Sequence, residues 1–286
     1  MAFNKETFRT RATTAVVFVC IMAAGLLWNR WSFFVLFSIV HFGCWQEYQK
    51  LVSLFNPDFK TISPVHRWGV QLGGWCLLLF FTNNALFIGA IRLTDIGLWL
   101  GLLFAFVVPL AELLQRNAAV VKNIGYSLCG LLYISLSLGL LVNLRMHWAA
   151  DGASLGLTLP LLLIFTLWVN DTMAYIVGSF IGKTPLSSIS PKKTWEGTIG
   201  GVLLAIVVMG ALAYSTGRLS LLHTAIITAL AAISGTFGDL FESKLKRLAG
   251  VKDSGTLLPG HGGFLDRFDS LLFASTVVWV YALLFL

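Results

Sequence analysis

Between Ser243 and Asp269 the chain concentrates Lys244, Lys246, Arg247, Lys252 and Arg267 with Asp253, His261, Asp266 and Asp269. Gly260, Gly262 and Gly263 stand among them and let the backbone turn tightly and present N–H groups to an anion. A helix beginning near Phe264 turns its N-terminus to the same place, which again favours phosphate. Asp266 and Asp269, three apart in the first turns of that helix, would repel a phosphate, and so would Asp239 upstream. A divalent cation reconciles the two tendencies. Hard carboxylate oxygens hold Mg²⁺, which completes its shell with water and phosphate oxygens. Metal bridging of phosphates belongs to phosphoryl-type transfer. His261 is compatible with three roles: proton donor, phosphate ligand or turn residue.

Three further groups join this stretch. Asp239, Glu242, Ser243 and Lys246 follow a 3, 4, 7 spacing and share one helical face. Asp239 is flanked by Phe237 and Leu240, so a solvated helix end does not explain it. Asp171 lies deep in an apolar segment, where a carboxylate costs about 2.5–3.5 kcal/mol. It shares a face with Ala174, Tyr175 and Gly178, and that small, polar face suits a cavity wall. The bland reading of Asp171 is a structural aspartate bonded to Asn170. A second polar connection, Lys183 to Glu196, holds Ser190, Lys192, Lys193 and Glu196. Pro191 suits a helix start, Thr194 or Ser190 a cap, and Glu196 the first turn. Paired lysines at a helix N-terminus attract anions, although they also fit an ordinary positive-inside loop.

The elements that position these residues are membrane spans. The chain has 286 residues, of which 57% are hydrophobic and 12% charged, about half the charged share of a soluble domain. Nine apolar segments run over 12–28, 31–54, 68–91, 95–114, 121–144, 155–181, 196–216, 220–247 and 264–286. The expected fold is an all-α integral membrane protein of about nine transmembrane helices. It forms one polytopic domain over 1–286, with N-terminal helices in 1–150 and catalytic helices and loops in 155–286. The third segment is interrupted by Thr82-Asn83-Asn84, and Gly125, Gly130 and Gly139 suit the fifth to close packing.

On this segmentation sixteen of the twenty Lys and Arg fall on one side. That places the N-terminus and both polar loops in the cytoplasm and the C-terminus outside. The net charge of +7 therefore reports topology and anionic lipid, not nucleic acid. The first segment reads as an anchor, not a cleaved signal. Cys20, Cys44, Cys76 and Cys129 all sit in apolar segments without a CxxC pair, and read as packing residues.

The residues from Ser243 onward resemble the signature of the phosphatidate cytidylyltransferase (CDP-diacylglycerol synthase) family, bacterial type. They run Ser243-Lys244-Leu245-Lys246-Arg247, then Lys252-Asp253, then Pro259-Gly260-His261-Gly262-Gly263, Asp266-Arg267 and Asp269. Ser190 to Gly197 and Asp171 to Gly178 also look like the family. The resemblance covers roughly the last 120 residues; the first 150 match only in being hydrophobic and multi-spanning.

The resemblance implies that CTP and phosphatidate give CDP-diacylglycerol and pyrophosphate, a step of phospholipid biosynthesis in the cell (inner) membrane. It implies Mg²⁺, with a monovalent cation such as K⁺ beside it, and a homodimer. By motif position Asp239 and Asp266 would be metal ligands, with Asp269 and Asp171 as further candidates. Lys246 and Arg267 would join Asp239 and Asp266 in catalysis. Ser190, Lys192, Lys193, Glu196, Ser243, Arg247, Lys252, Asp253, His261, Gly262 and Gly263 would bind substrate. Two other readings are an enzyme using CTP on another lipid (an ether phosphatidate or a polyprenol) and a cation transporter using Asp171 and Asp239.

Overall fold

The structure, a computed structural model, describes residues 5–114, 119–149, 155–255 and 262–286. Arg116, Pro259, Gly260 and His261, and the side chains of Lys5, Arg9 and Arg11, lie outside the described residues. Among the described residues the regular elements are helical except for one short hairpin. Its first helices are α1 (Lys5–Leu27), α2 (Arg30–Phe55), α3 (Pro64–Phe80) and α4 (Leu93–Leu113). They are followed by α5 (Val120–Gly130), α6 (Ser137–Met146), α7 (Leu155–Ile181), α8 (Trp195–Thr216), α9 (Leu221–Leu248) and α10 (Leu265–Phe285). A π-helical stretch, Leu131–Leu136, joins α5 and α6 into one rod.

Helix thus appears in each of the nine apolar segments, with one clear change. The third segment ends as helix at Phe80, not 91. Asn83 and Asn84 adopt left-handed φ of 49° and 58°, which asparagine tolerates. The chain then forms an antiparallel pair, β1 (Phe87–Ile88) and β2 (Ile91–Arg92). Among the described residues six rods are long and apolar enough to cross a membrane: α4, 120–146, α7, α8, α9 and α10. Of the other three, α1 is described as an apolar stretch over Val16–Leu27, because most side chains before it lie outside the described residues. Helix α2 carries Gln46, Glu47, Gln49 and Lys50, and α3 has 17 residues.

Helix α2 belongs to the centre of the molecule, where Phe33, Phe37, Trp45, Leu51 and Val52 are fully buried. Its polar groups are paired there. Ser135 lies 2.9 Å from His41 Nε2 and accepts from Trp45 Nε1 at 2.8 Å, while Gln71 donates to Gln49 at 2.9 Å. Asn29 starts α2 with a reciprocal cap to Ser32. Gly130 and Gly139 face Trp45 and Phe81 closely, whereas Gly125 faces open space. Of the four cysteines, Cys44 and Cys76 are buried as a packing role requires; Cys20 and Cys129 are exposed on outer helix faces.

Helices α7 and α8 meet on a face of small residues. A Cβ added to Gly201 would lie 2.8 Å from the Ala174 Cβ and 2.9 Å from the Asn170 carbonyl oxygen, so only glycine allows this approach. Gly178 and Ala174 face Gly197 in the same seam. The expected cavity wall over Asp171, Ala174, Tyr175 and Gly178 is therefore divided. Ala174 and Gly178 are a helix–helix contact, and Tyr175 is 77% exposed. Gly201→Val is expected to cost about 1–3 kcal/mol through overpacking, read as a lower unfolding temperature in detergent.

Candidate active site

The close approach of α9 and α10 creates the centre of the site. Gly238 lets α10 come near: a Cβ there would lie 2.5 Å from the Asp269 carbonyl oxygen. This brings Asp239 and Glu242 of α9 against Asp269 of α10. One carboxylate oxygen from each lies within 4.8 Å of the others. Glu242 is fully buried and Asp269 nearly so. Asp269 Oδ1 accepts the Ser270 N–H at 2.6 Å.

Two lysines neutralise this cluster. Lys246, one turn after Glu242, pairs with it and also donates to Asp266 Oδ1 at 2.7 Å. Lys193, from the connection before α8, pairs with Asp239. That ion pair joins the connection before α8 to α9. The connection is folded as a narrow return: Leu186 N–H donates to Lys193 O at 2.7 Å, and Trp195 N–H to Thr184 O at 3.0 Å. Thr194 caps α8 by accepting the Gly197 N–H at 3.1 Å. Pro191 lies in the turn before it and does not begin the helix. Glu196 faces back into this loop and accepts the Lys183 and Thr184 N–H groups at 3.1 and 3.2 Å. Its carboxylate thus holds the loop that carries Lys193. Ser190 accepts the Lys193 N–H through its carbonyl at 3.1 Å, and Lys192 is exposed.

The N-terminus of α10 differs most from the sequence reading. An anion does sit there, but it is protein carboxylate. Glu47 of α2 accepts the Phe264 N–H at 2.9 Å, the Leu265 N–H at 2.8 Å and the Ser254 hydroxyl at 2.6 Å. Asp266 Oδ2 accepts the Gly263 N–H at 2.8 Å, and the Ser254 N–H and hydroxyl at 2.9 Å each. Ser254 Oγ also lies 3.3 Å from the Asp266 nitrogen. The N–H groups of Gly263, Phe264 and Leu265, expected to face a phosphate, are therefore met by protein carboxylates, while Gly260 lies outside the described residues. Gly262 itself holds φ at +80°.

Asp266 is consequently an organising residue of loop and helix, while the carboxylates that converge are Asp239, Glu242 and Asp269. Asp171 faces the same region. It lines a cavity of about 150 Å³ together with Asp266, Arg267 and Asp269 and with the apolar Phe18, Met22, Ile164 and Trp168. Its Oδ1 is 3.4 Å from Asn170 Nδ2. Ser243 is half-buried; Arg247, Lys252, Asp253 and Arg267 are exposed, and Arg247 lies 3.4 Å from the Val251 carbonyl.

Of the groups the sequence reading did not assign, Glu242 lay on the Asp239 face, and its spacing was a usable signal. Glu47 and Ser254 had none beyond a carboxylate inside an apolar segment and a serine in a polar loop. A cation fits the cluster on its donor chemistry: three carboxylates supply hard oxygens. Glu242 Oε1, fully buried, has no hydrogen-bond donor among the described residues.

Comparison with known proteins identifies relatives of the chain. A family model described as "Cytidylyltransferase family" matches residues 9–285. Phosphatidate cytidylyltransferase of Synechocystis sp. is 33% identical over 302 residues, covering 96% of this chain and 97% of that one. Phosphatidate cytidylyltransferase of Bacillus subtilis is 35% identical over 187 residues, 64% of this chain and 67% of that one. The chloroplastic phosphatidate cytidylyltransferase 4 of Arabidopsis thaliana is 40% identical over 194 residues, 61% of this chain but 50% of the plant protein. The chain thus spans about half the length of the plant relatives it matches. With a family match running from α1 to the last turn of α10, this chain belongs to the cytidylyltransferase family.

Proposed function

We propose that the protein is a phosphatidate cytidylyltransferase, joining CTP and phosphatidate into CDP-diacylglycerol with release of pyrophosphate. The observation that carries this reading is the convergence of Asp239, Glu242 and Asp269 with Lys246 of α9 and Lys193 of the connection before α8, beside a cavity lined by both charged and apolar side chains. A lipid phosphate needs both kinds of lining, its headgroup near Arg267 and an acyl chain along Phe18, Met22 and Ile164.

Asp239, Glu242 and Asp269, with Asp171 beside them, would hold Mg²⁺. A monovalent ion such as K⁺ is proposed in the same region from the family resemblance. When bound, the divalent ion supplies charge neutralisation between carboxylates and phosphates. The residues of the chain do the rest by positioning and electrostatics. A phosphatidate oxygen attacks the α-phosphorus of CTP in line, the bond to the bridging oxygen breaks, and pyrophosphate leaves with the electron pair. That nucleophile is already anionic, so no general base is required. Lys192, Lys193, Lys246, Arg247, Lys252 and Arg267 share the phosphates. The finer topology belongs to the same proposal: nine crossings, N-terminus and both loops cytoplasmic, a multi-pass inner-membrane protein acting as a homodimer. The sixteen-to-four division of Lys and Arg supports the orientation.

The test uses purified protein in detergent with phosphatidate, Mg²⁺ and α-labelled CTP. Label is expected in the lipid phase with matching pyrophosphate, and both are lost under EDTA. Transfer of γ-label to a lipid alcohol instead would make the protein a lipid kinase, and no transfer with any lipid would sink the enzyme reading.

A further inference from the structure

A second cavity, of about 440 Å³, lies between α3, α4 and α5 and shares no lining residue with the one beside the carboxylate cluster. Its volume falls within the range of small-molecule sites, about 300–1,000 Å³. Two of its lining side chains are polar, His66 and Ser127; the others are apolar or glycine. Ser127 Oγ lies 2.7 Å from His66 Nε2, and Glu112 Oε2 lies 2.9 Å from His66 Nδ1. Asn123 Nδ2 reaches the other Glu112 oxygen at 3.4 Å. His66 and Glu112 are fully buried and Ser127 is 4% exposed.

The three groups come from three helices and are ordered from the cavity outward. Serine and imidazole face the cavity, and the carboxylate stands behind the ring. A serine in hydrogen-bond reach of an imidazole, with a carboxylate 2.9 Å from the other ring nitrogen but outside hydrogen-bond geometry, is close to the arrangement that activates a hydroxyl as nucleophile. Nothing in the CTP-dependent reaction uses it.

We propose that Ser127 and His66 form a second catalytic site, with Glu112 positioning the imidazole, that cleaves a fatty acyl ester held in this cavity. The apolar walls select a long acyl chain, and Leu98, Leu102 and Leu128 at the cavity are 40–54% exposed on outer helix faces, so the chain enters from the lipid side. Ser127 Oγ attacks the ester carbonyl carbon while its proton passes to His66 Nε2. The bond from that carbon to the alkoxy oxygen breaks, and the leaving alcohol takes the proton. Water then attacks the acyl-serine, His66 accepts and returns its proton, and the fatty acid departs. Ser127 lies in the body of α5, where its own N–H belongs to the helix. It therefore provides no backbone donor for the carbonyl oxygen, and turnover is expected about 10²–10³-fold below sites that have one.

The test is independent of nucleotide transfer. Full-length protein in detergent, with EDTA and no CTP, is treated with a tagged long-chain alkyl fluorophosphonate, and the adduct is mapped by peptide mass spectrometry. One adduct on Ser127 is expected, absent in Ser127→Ala and slowed about 100-fold in His66→Gln. Glu112→Gln is expected to slow labelling and Glu112→Asp to restore it in part, while Asn123→Ala leaves the labelling rate unchanged. Leu102→Trp, with all three groups intact, should slow the long-chain probe and spare a short-chain one. No adduct on Ser127 in protein that shows a cooperative thermal transition would overturn the proposal. So would labelling unaffected by His66→Gln.

Discussion

Asp239→Ala is expected to lower cytidylyl transfer by about 10²–10³-fold or more while leaving the protein folded. The side chain is one of three carboxylates that converge between α9 and α10, and the one in contact with the second loop. Its structural weight is small. The Asp239 and Lys193 side chains are 23% and 32% exposed, and an ion pair so open to solvent is worth about 0–1 kcal/mol. Loss of turnover and retention of the unfolding temperature should therefore separate cleanly. The measurement is label transfer from α-labelled CTP beside thermal unfolding of the same preparation, with Mg²⁺ raised to confirm that excess ion does not restore activity. Near-normal turnover would remove Asp239 from the reaction. A large fall in unfolding temperature would mean that the Lys193 pair matters to the fold far more than its exposure allows.

Glu47→Ala is expected to lower both stability and turnover. Its carboxylate accepts two N–H groups at the start of α10 and the Ser254 hydroxyl, and Phe264 packs over Gly43 on the same face of α2. Leaving half-buried donors without an acceptor costs on the order of 1 kcal/mol each, so about 2–4 kcal/mol in all. The favourable interaction of an anion with the helix N-terminus is lost as well. Because α10 carries Asp266, Arg267 and Asp269, a shift of its first turn misplaces them together, and a displacement near 1 Å is enough for about 100-fold in rate. Glu47→Gln keeps one acceptor oxygen and should fall between wild type and alanine on both readouts. An alanine variant with unchanged stability and unchanged rate would show that Ser254 and Asp266 hold the loop unaided.

Asp266 illustrates how this changes the reading of the motif. Asp266→Asn was expected from sequence to behave like a lost metal ligand. In the structure its two oxygens meet Lys246, Gly263 and both polar groups of Ser254, so the variant combines a rate defect with a loosened loop. The difference between Asp239→Ala and Asp266→Asn in thermal unfolding is the observable that separates the two roles.

The sequence by itself determined the helical, apolar character of the chain, the location of its polar loops and the family. Those follow from local properties: run length of apolar residues, spacing along a helix and a dense motif. The 3, 4, 7 spacing put Asp239, Glu242 and Lys246 on one face, and the structure pairs Glu242 with Lys246 there. The sequence also marked Thr82-Asn83-Asn84 as an interruption inside the third apolar segment, where the helix ends at Phe80. What only the tertiary structure decided is which carboxylates meet and which anion fills the start of α10. Glu47 is more than two hundred residues from Leu265. Nothing in its local pattern signals that the turn of α2 bearing it lies against the last helix. An acidic group and a row of free N–H groups are complementary wherever packing joins them, and pattern alone cannot say whether protein or substrate supplies the charge. The same holds for Ser127, His66 and Glu112, each unremarked in its own segment and joined only because α3, α4 and α5 pack together.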